Sequence, residues 1–186
     1  MVGITQVARA RKVRRSARPA SWSCASAQPG NPYERQAQAA GRAPTSGRLI
    51  LVVDDEVAVR MICSFNLEAA GLEVVEAVDG DEALAAVRER RPDLVLLDVM
   101  MPKRDGWAVA AELRADPRTR DLPVVFLTAL VDEADRRRAK ELGVVGYITK
   151  PFDPIALAAQ LESILERLAR GEREQLREEL LRGRGS

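Results

Sequence analysis

Five polar side chains stand where short apolar runs end: Asp54 and Asp55 after "LILVV", Asp98 after "LVLL", Thr128 after "VVFL", and Lys150 after "GYIT". Carboxylates that converge can hold a hard cation through oxygen ligands, while a hydroxyl and an ammonium can donate to a phosphoryl group. The stretch "LILVVDDE", Leu49 to Glu56, concentrates the problem, because three carboxylates follow five apolar residues and no basic side chain appears until Arg60. Like charges this close resist being ionised together. A cation, a phosphoryl group held through a cation, or plain water must offset them. Taken singly each residue has a plainer role: Asp55 as a helix cap, Glu56 as a first-turn residue on the dipole, Thr128 as a turn hydroxyl, Lys150 as a solvated strand end. With no histidine in the chain, His-based zinc sites, Ser-His-Asp triads and a phosphohistidine on this protein are excluded.

The elements that must position these residues are legible from Arg48 onward. Apolar runs alternate with amphipathic segments: "LILVV", a helical stretch to Gly71, "LEVVEA", "DGDEALAAVRERR", "DLVLLDV", "GWAVAAELRAD", "LPVVFLTA", "DEADRRRAKEL", "VVGYITK", and a last helix from Asp153. That is five strand–helix units, hence five helices. Runs such as Leu94–Leu97 and Val124–Leu127 do not alternate, so both faces of each strand are expected to be covered. The expected fold is therefore α/β, a doubly wound five-stranded parallel sheet between helices. Gly71 and Gly143 fall at helix ends, and Asp153 with Pro154 makes an N-cap with proline in the first turn. In such a sheet the strand C-termini share one edge, where ligands bind at the crevice between diverging loops. The five polar groups then meet, and the cluster suits a magnesium-type ion.

The 186 residues, 46% hydrophobic and 31% charged, suffice for one ordinary core. Residues 1–47 carry eight Arg and Lys against Glu34, a balance of +7 within an overall +1, which leaves −6 for the rest. This Arg-, Ala-, Ser- and Pro-rich segment has no apolar periodicity and reads as a disordered basic extension. Residues 48–168 are expected to form the folded domain, and residues 169–186 a charged C-terminal tail, possibly helical. No apolar run reaches the roughly 18–20 residues that span a bilayer, so a soluble, cytoplasmic protein without a membrane span is expected. Cys24 and Cys63 show no metal or redox spacing, and Cys63 reads as core filling.

Through "LILVVDDE", "VDGDEAL", "PDLVLLDVMMPKRDGW", "DLPVVFLTA" and "GYITKPFDP", residues 48–168 resemble the receiver domain of bacterial two-component response regulators. The resemblance implies a flavodoxin-like sheet of order 2-1-3-4-5. It implies Asp98 as phosphoacceptor, Asp54 and Asp55 with Asp98 and the main-chain carbonyl of Met100 as Mg2+ ligands, and Thr128 and Lys150 as phosphoryl-binding groups. Thr128 and Tyr147 would form the switch, and Lys150–Pro151 would be a cis peptide. A histidine kinase or phosphotransfer protein would donate the phosphoryl group. A downstream protein target would bind the face made by the fourth helix, fifth strand and fifth helix. Only 18 residues follow Leu168, too few for a DNA-binding domain, so a stand-alone receiver without one is expected, a phosphoacceptor and not an enzyme. Met100 and Leu130 fall where the resemblance implies flanks to the path of the hydrolytic water, and neither can orient a water, which implies slow dephosphorylation. Two rival readings stay open: a haloacid-dehalogenase-like Mg-dependent phosphatase, which needs Asp-x-Asp where this chain has adjacent aspartates, and a receiver-shaped adaptor that is never phosphorylated.

Overall fold

The computed structural model describes residues 47–129 and 132–182. The basic extension up to residue 46, residues 130 and 131 (which include Leu130) and the last four residues lie outside the described residues. Along the chain, β1 (Leu49–Val53), α1 (Val57–Ala69), β2 (Glu73–Ala77), α2 (Gly80–Arg90), β3 (Leu94–Asp98) and α3 (Gly106–Ala115) come first. They are followed by β4 (Val124–Thr128), α4 (Glu133–Glu141), β5 (Gly146–Thr149), α5 (Pro154–Ala169) and α6 (Arg173–Leu181). The strands form one parallel sheet of order β2-β1-β3-β4-β5, the expected doubly wound arrangement.

The uninterrupted apolar runs explain the layering, because successive strand residues face opposite sides of the sheet and here both sides are covered. Leu51, Val53, Val95, Leu97 and Phe126 pack with α2, α3 and α4 through Ala83, Leu84, Trp107, Leu113 and Ala139. Their neighbours Ile50, Val52, Leu94, Leu96, Val125 and Leu127 pack with α1 and α5 through Cys63, Leu67, Leu157 and Leu161. Helix starts are fixed by aspartates: Asp79, Asp105, Asp132 and Asp153 cap α2, α3, α4 and α5 by accepting first-turn backbone N–H groups. Gly71 and Gly143, at φ 89° and 77°, close α1 and α4 in the left-handed region that favours glycine. No helix among the described residues is long and apolar enough to cross a membrane.

One expectation needs correction. The described residues hold six helices rather than five, because the charged segment after Gly171, expected as a tail or a frayed helix, contains α6, packed against α4, β5 and α5. The anchors are only two leucines one turn apart, and they go to different layers: Leu176 joins the α1/α5 core and Leu180 the α2–α4 core. A helix can straddle both layers only at an open edge of the sheet, and β5 is that edge. Nine residues are marginal as an isolated helix. Burial of the two leucines, worth about 1.5–3 kcal/mol each, sustains it. Arg167 of α5 adds paired hydrogen bonds to Glu179 at 2.8 and 2.7 Å and a bond to Glu172 at 3.0 Å.

Candidate functional site

Register places the polar strand ends together. Asp98 is the last residue of β3 and lies opposite Leu127, so Thr128 stands one step further along β4, and Thr128 lies opposite Thr149, immediately before Lys150. Lys150 then reaches back across β4: its Nζ donates to Asp54 Oδ2 at 2.7 Å and to Asp98 Oδ1 at 2.8 Å. The Asp54 side chain is 0% exposed, that of Asp98 4%, and that of Lys150 24%. Thr128 is buried beside them, and Asp55 is exposed at the rim.

The remaining bonds hold the two carboxylates in place. The Glu56 N–H donates to Asp54 Oδ1 at 2.8 Å, and the Met100 N–H donates to Asp98 Oδ2 at 2.9 Å. Asp55 is not a helix cap, since α1 starts after Glu56 without a side-chain capping bond. Burial pushes the Asp98 carboxyl above its usual range, and Asp54 adds to this, while the hydrogen bond from Lys150 pulls it back. For Lys150 burial works downward, but the bonds to both aspartates outweigh it and hold the ammonium above its usual range. The site thus keeps its lysine charged and its phosphoacceptor candidate only partly compensated.

Oxygens of Asp54, Asp55 and Asp98 lie within 4.8 Å of one another. Three formal negative charges less the one that Lys150 returns leave two, all presented on carboxylate oxygen, which fits a hard divalent cation of the magnesium type. Asp54, Asp55 and Asp98 would hold it. The side chain of Met100, 76% exposed, stands outside this cluster.

Tyr147 lies away from the edge, in the layer beneath α4. Its ring tilts against Phe126 with centroids 5.9 Å apart, and its hydroxyl donates to the Asp135 carbonyl of α4 at 3.1 Å. Burial pushes its phenol above the usual range. It therefore ties α4 to the sheet one strand from Thr128. Lys150–Pro151 is a cis peptide.

Two contributors carry no clear sequence signal. A Cβ on Gly106 would fall against the Asp98 carbonyl oxygen and 2.9 Å from Val99 Cα, so α3 can start close behind the phosphoacceptor candidate only with glycine there. Arg60, visible in the sequence only as the first cation after the acidic run, is buried with Nη1 on the Asp54 carbonyl at 2.7 Å and Nε on Glu76 at 3.3 Å. Its charge braces the β1 end from below.

Comparison with known proteins agrees with this geometry. Residues 50–162 match the family model described as response regulator receiver domain. A probable transcriptional regulator, ycf27, of Cyanophora paradoxa is 50% identical over 118 residues, 63% of this chain and 48% of the relative. The phosphate regulon transcriptional regulatory protein PhoB of Pseudomonas aeruginosa is 41% identical over 128 residues, 69% and 56% of the two chains. Among solved structures, the chemotaxis protein CheY4 of Vibrio cholerae superposes with a TM-score of 0.61 at 32% identity, covering 64% of this chain and 99% of that one.

These findings overturn one expectation, that of a receiver signalling to a separate protein target with no DNA-binding domain. The chain spans about half the length of the curated relatives it matches, and those relatives are named as transcriptional regulators. RpaA of Synechocystis, 43% identical over 121 residues, is named as DNA-binding. The face assigned to the separate target is also partly covered, because α6 packs on α4, β5 and α5. From the joint weight of topology, acidic cluster and sequence match, this chain belongs to the response regulator receiver domain family.

Proposed function

We propose that this protein accepts a phosphoryl group on Asp98 from the phosphohistidine of a histidine kinase or phosphotransfer protein and passes the change on to transcriptional control. The observation that carries the reading is Lys150, whose ammonium reaches from the end of β5 to bridge Asp54 and Asp98 at 2.7 and 2.8 Å. In the transfer, an Asp98 carboxylate oxygen attacks phosphorus in line, the new P–O bond forms as the P–N bond to the donor imidazole breaks, and the imidazole leaves with the bonding pair. Asp54, Asp55 and Asp98 would hold a Mg2+, which when bound would supply charge neutralisation for the transferring oxygens. The chain's own groups do the rest. Asp54 holds Lys150 in place, Lys150 exchanges its bond to Asp98 for one to a phosphoryl oxygen, and the Thr128 hydroxyl donates to another. The backbone N–H of Met100 fixes the second Asp98 oxygen, which leaves Oδ1 as the attacking atom. An exposed stripe on α1, Val57, Met61 and Phe65, runs away from Asp55 and offers a protein donor an apolar surface beside the site.

Withdrawal of Lys150 and Thr128 toward the new charge of about −2 would shift the end of β4 and with it α4, which Tyr147 ties to β5. The relatives' names support transcription as the outcome. The phosphatase alternative loses its ground, since adjacent aspartates stand after β1 where it needs Asp-x-Asp and the family match lies elsewhere. Incubation with acetyl phosphate and magnesium, followed by intact mass measurement, tests the proposal. The mass of one phosphoryl group is expected on the parent and none on Asp98→Asn; an equal gain on both would refute it.

A further inference from the structure

At the sheet edge opposite Asp98, three arginines from two helices meet around the turns that lead into β4 and β5. Arg114 at the end of α3 donates through Nη1 to the Arg120 carbonyl at 2.9 Å, and Arg173 at the start of α6 donates through Nη2 to the Asp121 carbonyl at 2.8 Å. Arg177, one turn further along α6, reaches the Gly143 carbonyl with Nη2 at 3.4 Å. A Cβ placed on Gly143 would stand 2.7 Å from Arg177 Nη2 and 3.4 Å from Arg114 Cζ, so two of the guanidinium groups converge on one turn.

Negative charge nearby is sparse. Glu174 lies 3.6 Å from Arg177 but shares its carboxylate with Lys140 at 3.6 Å, and the carboxylate of Asp121 is exposed and 3.9 Å from Arg120. Burial, with the charges of Arg177 and Arg114, pushes the Arg173 guanidinium below its usual range, although Asp121 opposes this. Arg177 is only 13% exposed. Arg173 Nη1 and Arg177 Nε are fully buried and have no hydrogen-bond partner among the described residues. Buried donors on like-charged groups are costly when nothing accepts from them, and an oxyanion is the ligand whose charge and acceptor oxygens offset such costs.

We propose that Arg114, Arg173 and Arg177 form a binding site for a small multivalent oxyanion of the phosphate and sulfate class, which pins α6 to α3 and to the turn before β5. Guanidinium suits this role, since its fixed fork of donors matches such oxygens and its charge is permanent. The site is separate from Asp98 and does not depend on what Asp98 does.

The test uses the full chain in EDTA, so that cation-dependent chemistry at Asp98 contributes nothing, with inorganic phosphate titrated against chloride at constant ionic strength. The expected result is a saturable rise in Tm, shared by sulfate and absent with acetate, with movement of the amide signals of Gly143, Arg173 and Arg177. Arg173→Gln and Arg177→Gln are each expected to weaken the apparent phosphate affinity about tenfold, the loss of one charge-assisted bond. In chloride alone both should melt close to the parent, because each substitution also relieves repulsion among like charges. A phosphate-dependent rise of equal size in parent and variants, or one that never saturates, would mean an adventitious ion only and overturn the site. If a variant does not fold, the parent still decides: a Tm rise with those three amide signals unmoved also overturns it.

Discussion

Asp98 ends β3 and Lys150 directly follows β5, two strands that do not touch, and yet Nζ stands 2.8 Å from Oδ1 across the end of β4. The side chain that offsets the acidic cluster thus comes from 52 residues further along the chain, and it is itself held by Asp54. One ammonium cannot balance three carboxylates, and the remaining negative charge is what suits the cluster to a divalent cation.

Loss of that ammonium is the first prediction. Lys150→Met leaves Asp54 and Asp98 as buried carboxylates without their shared donor. Because Lys150 is itself partly exposed, the cost is expected below that of a fully buried broken pair, about 2–3 kcal/mol. Urea unfolding without divalent ions measures it, and added magnesium should recover part of the loss. An unchanged midpoint would mean the bridge contributes nothing to the fold.

Gly106→Ala is expected to destabilise by about 1–3 kcal/mol, since the new methyl meets the backbone of Asp98 and Val99 rather than a yielding side chain. It should also slow acetyl-phosphate labelling by displacing Asp98. Normal stability with normal labelling would show that the α3 start has room to move.

Much of this site is legible in the amino-acid sequence. The strand runs announce a parallel sheet because both faces are apolar, and the polar residue at each run's end falls on the shared edge by topology alone. Gly106 is not legible, because its constraint is a close approach between the α3 start and the β3 end that no local pattern records. Nor is α6, whose two anchoring leucines sit in a charged context and serve different layers, so neither forms a stripe. Arg60 can be counted as a cation but not assigned to the Asp54 carbonyl.

Because α6 depends on so few anchors, Leu176→Ala should cost about 2–4 kcal/mol and sharply reduce hydrogen-exchange protection along Arg173–Leu181. A change of only a few tenths would restore the reading of a loosely held tail.

Cys63 is fully buried, and burial, with Asp54 adding, pushes its thiol from 9.0 up to about 12. Alkylation at pH 8 should therefore leave Cys63 unlabelled in the folded protein and label it in urea. The sign for stability follows: the contribution is complete below pH 9 and declines between 9 and about 12, where only the unfolded chain has lost its proton. A Cys63→Ala variant should lack that decline; rapid labelling of folded Cys63 would contradict the burial.

Met100 and Leu130 cannot hydrogen-bond a water into line with a phosphoryl group on Asp98, so self-dephosphorylation is expected to be slow. Met100→Asn combined with Leu130→Glu should shorten the lifetime after donor removal. Equal decay, or slower decay in the variant, would exclude a role for these positions.

The most direct test of the central claim locates the covalent bond itself. Borohydride reduction of the acetyl-phosphate-treated protein converts an aspartyl phosphate to homoserine, and peptide sequencing by mass spectrometry reads its position. Homoserine is predicted at position 98 alone, and none when magnesium is withheld; homoserine at Asp54 or Asp55, or unmodified Asp98 in a protein that has gained phosphoryl mass, would contradict it.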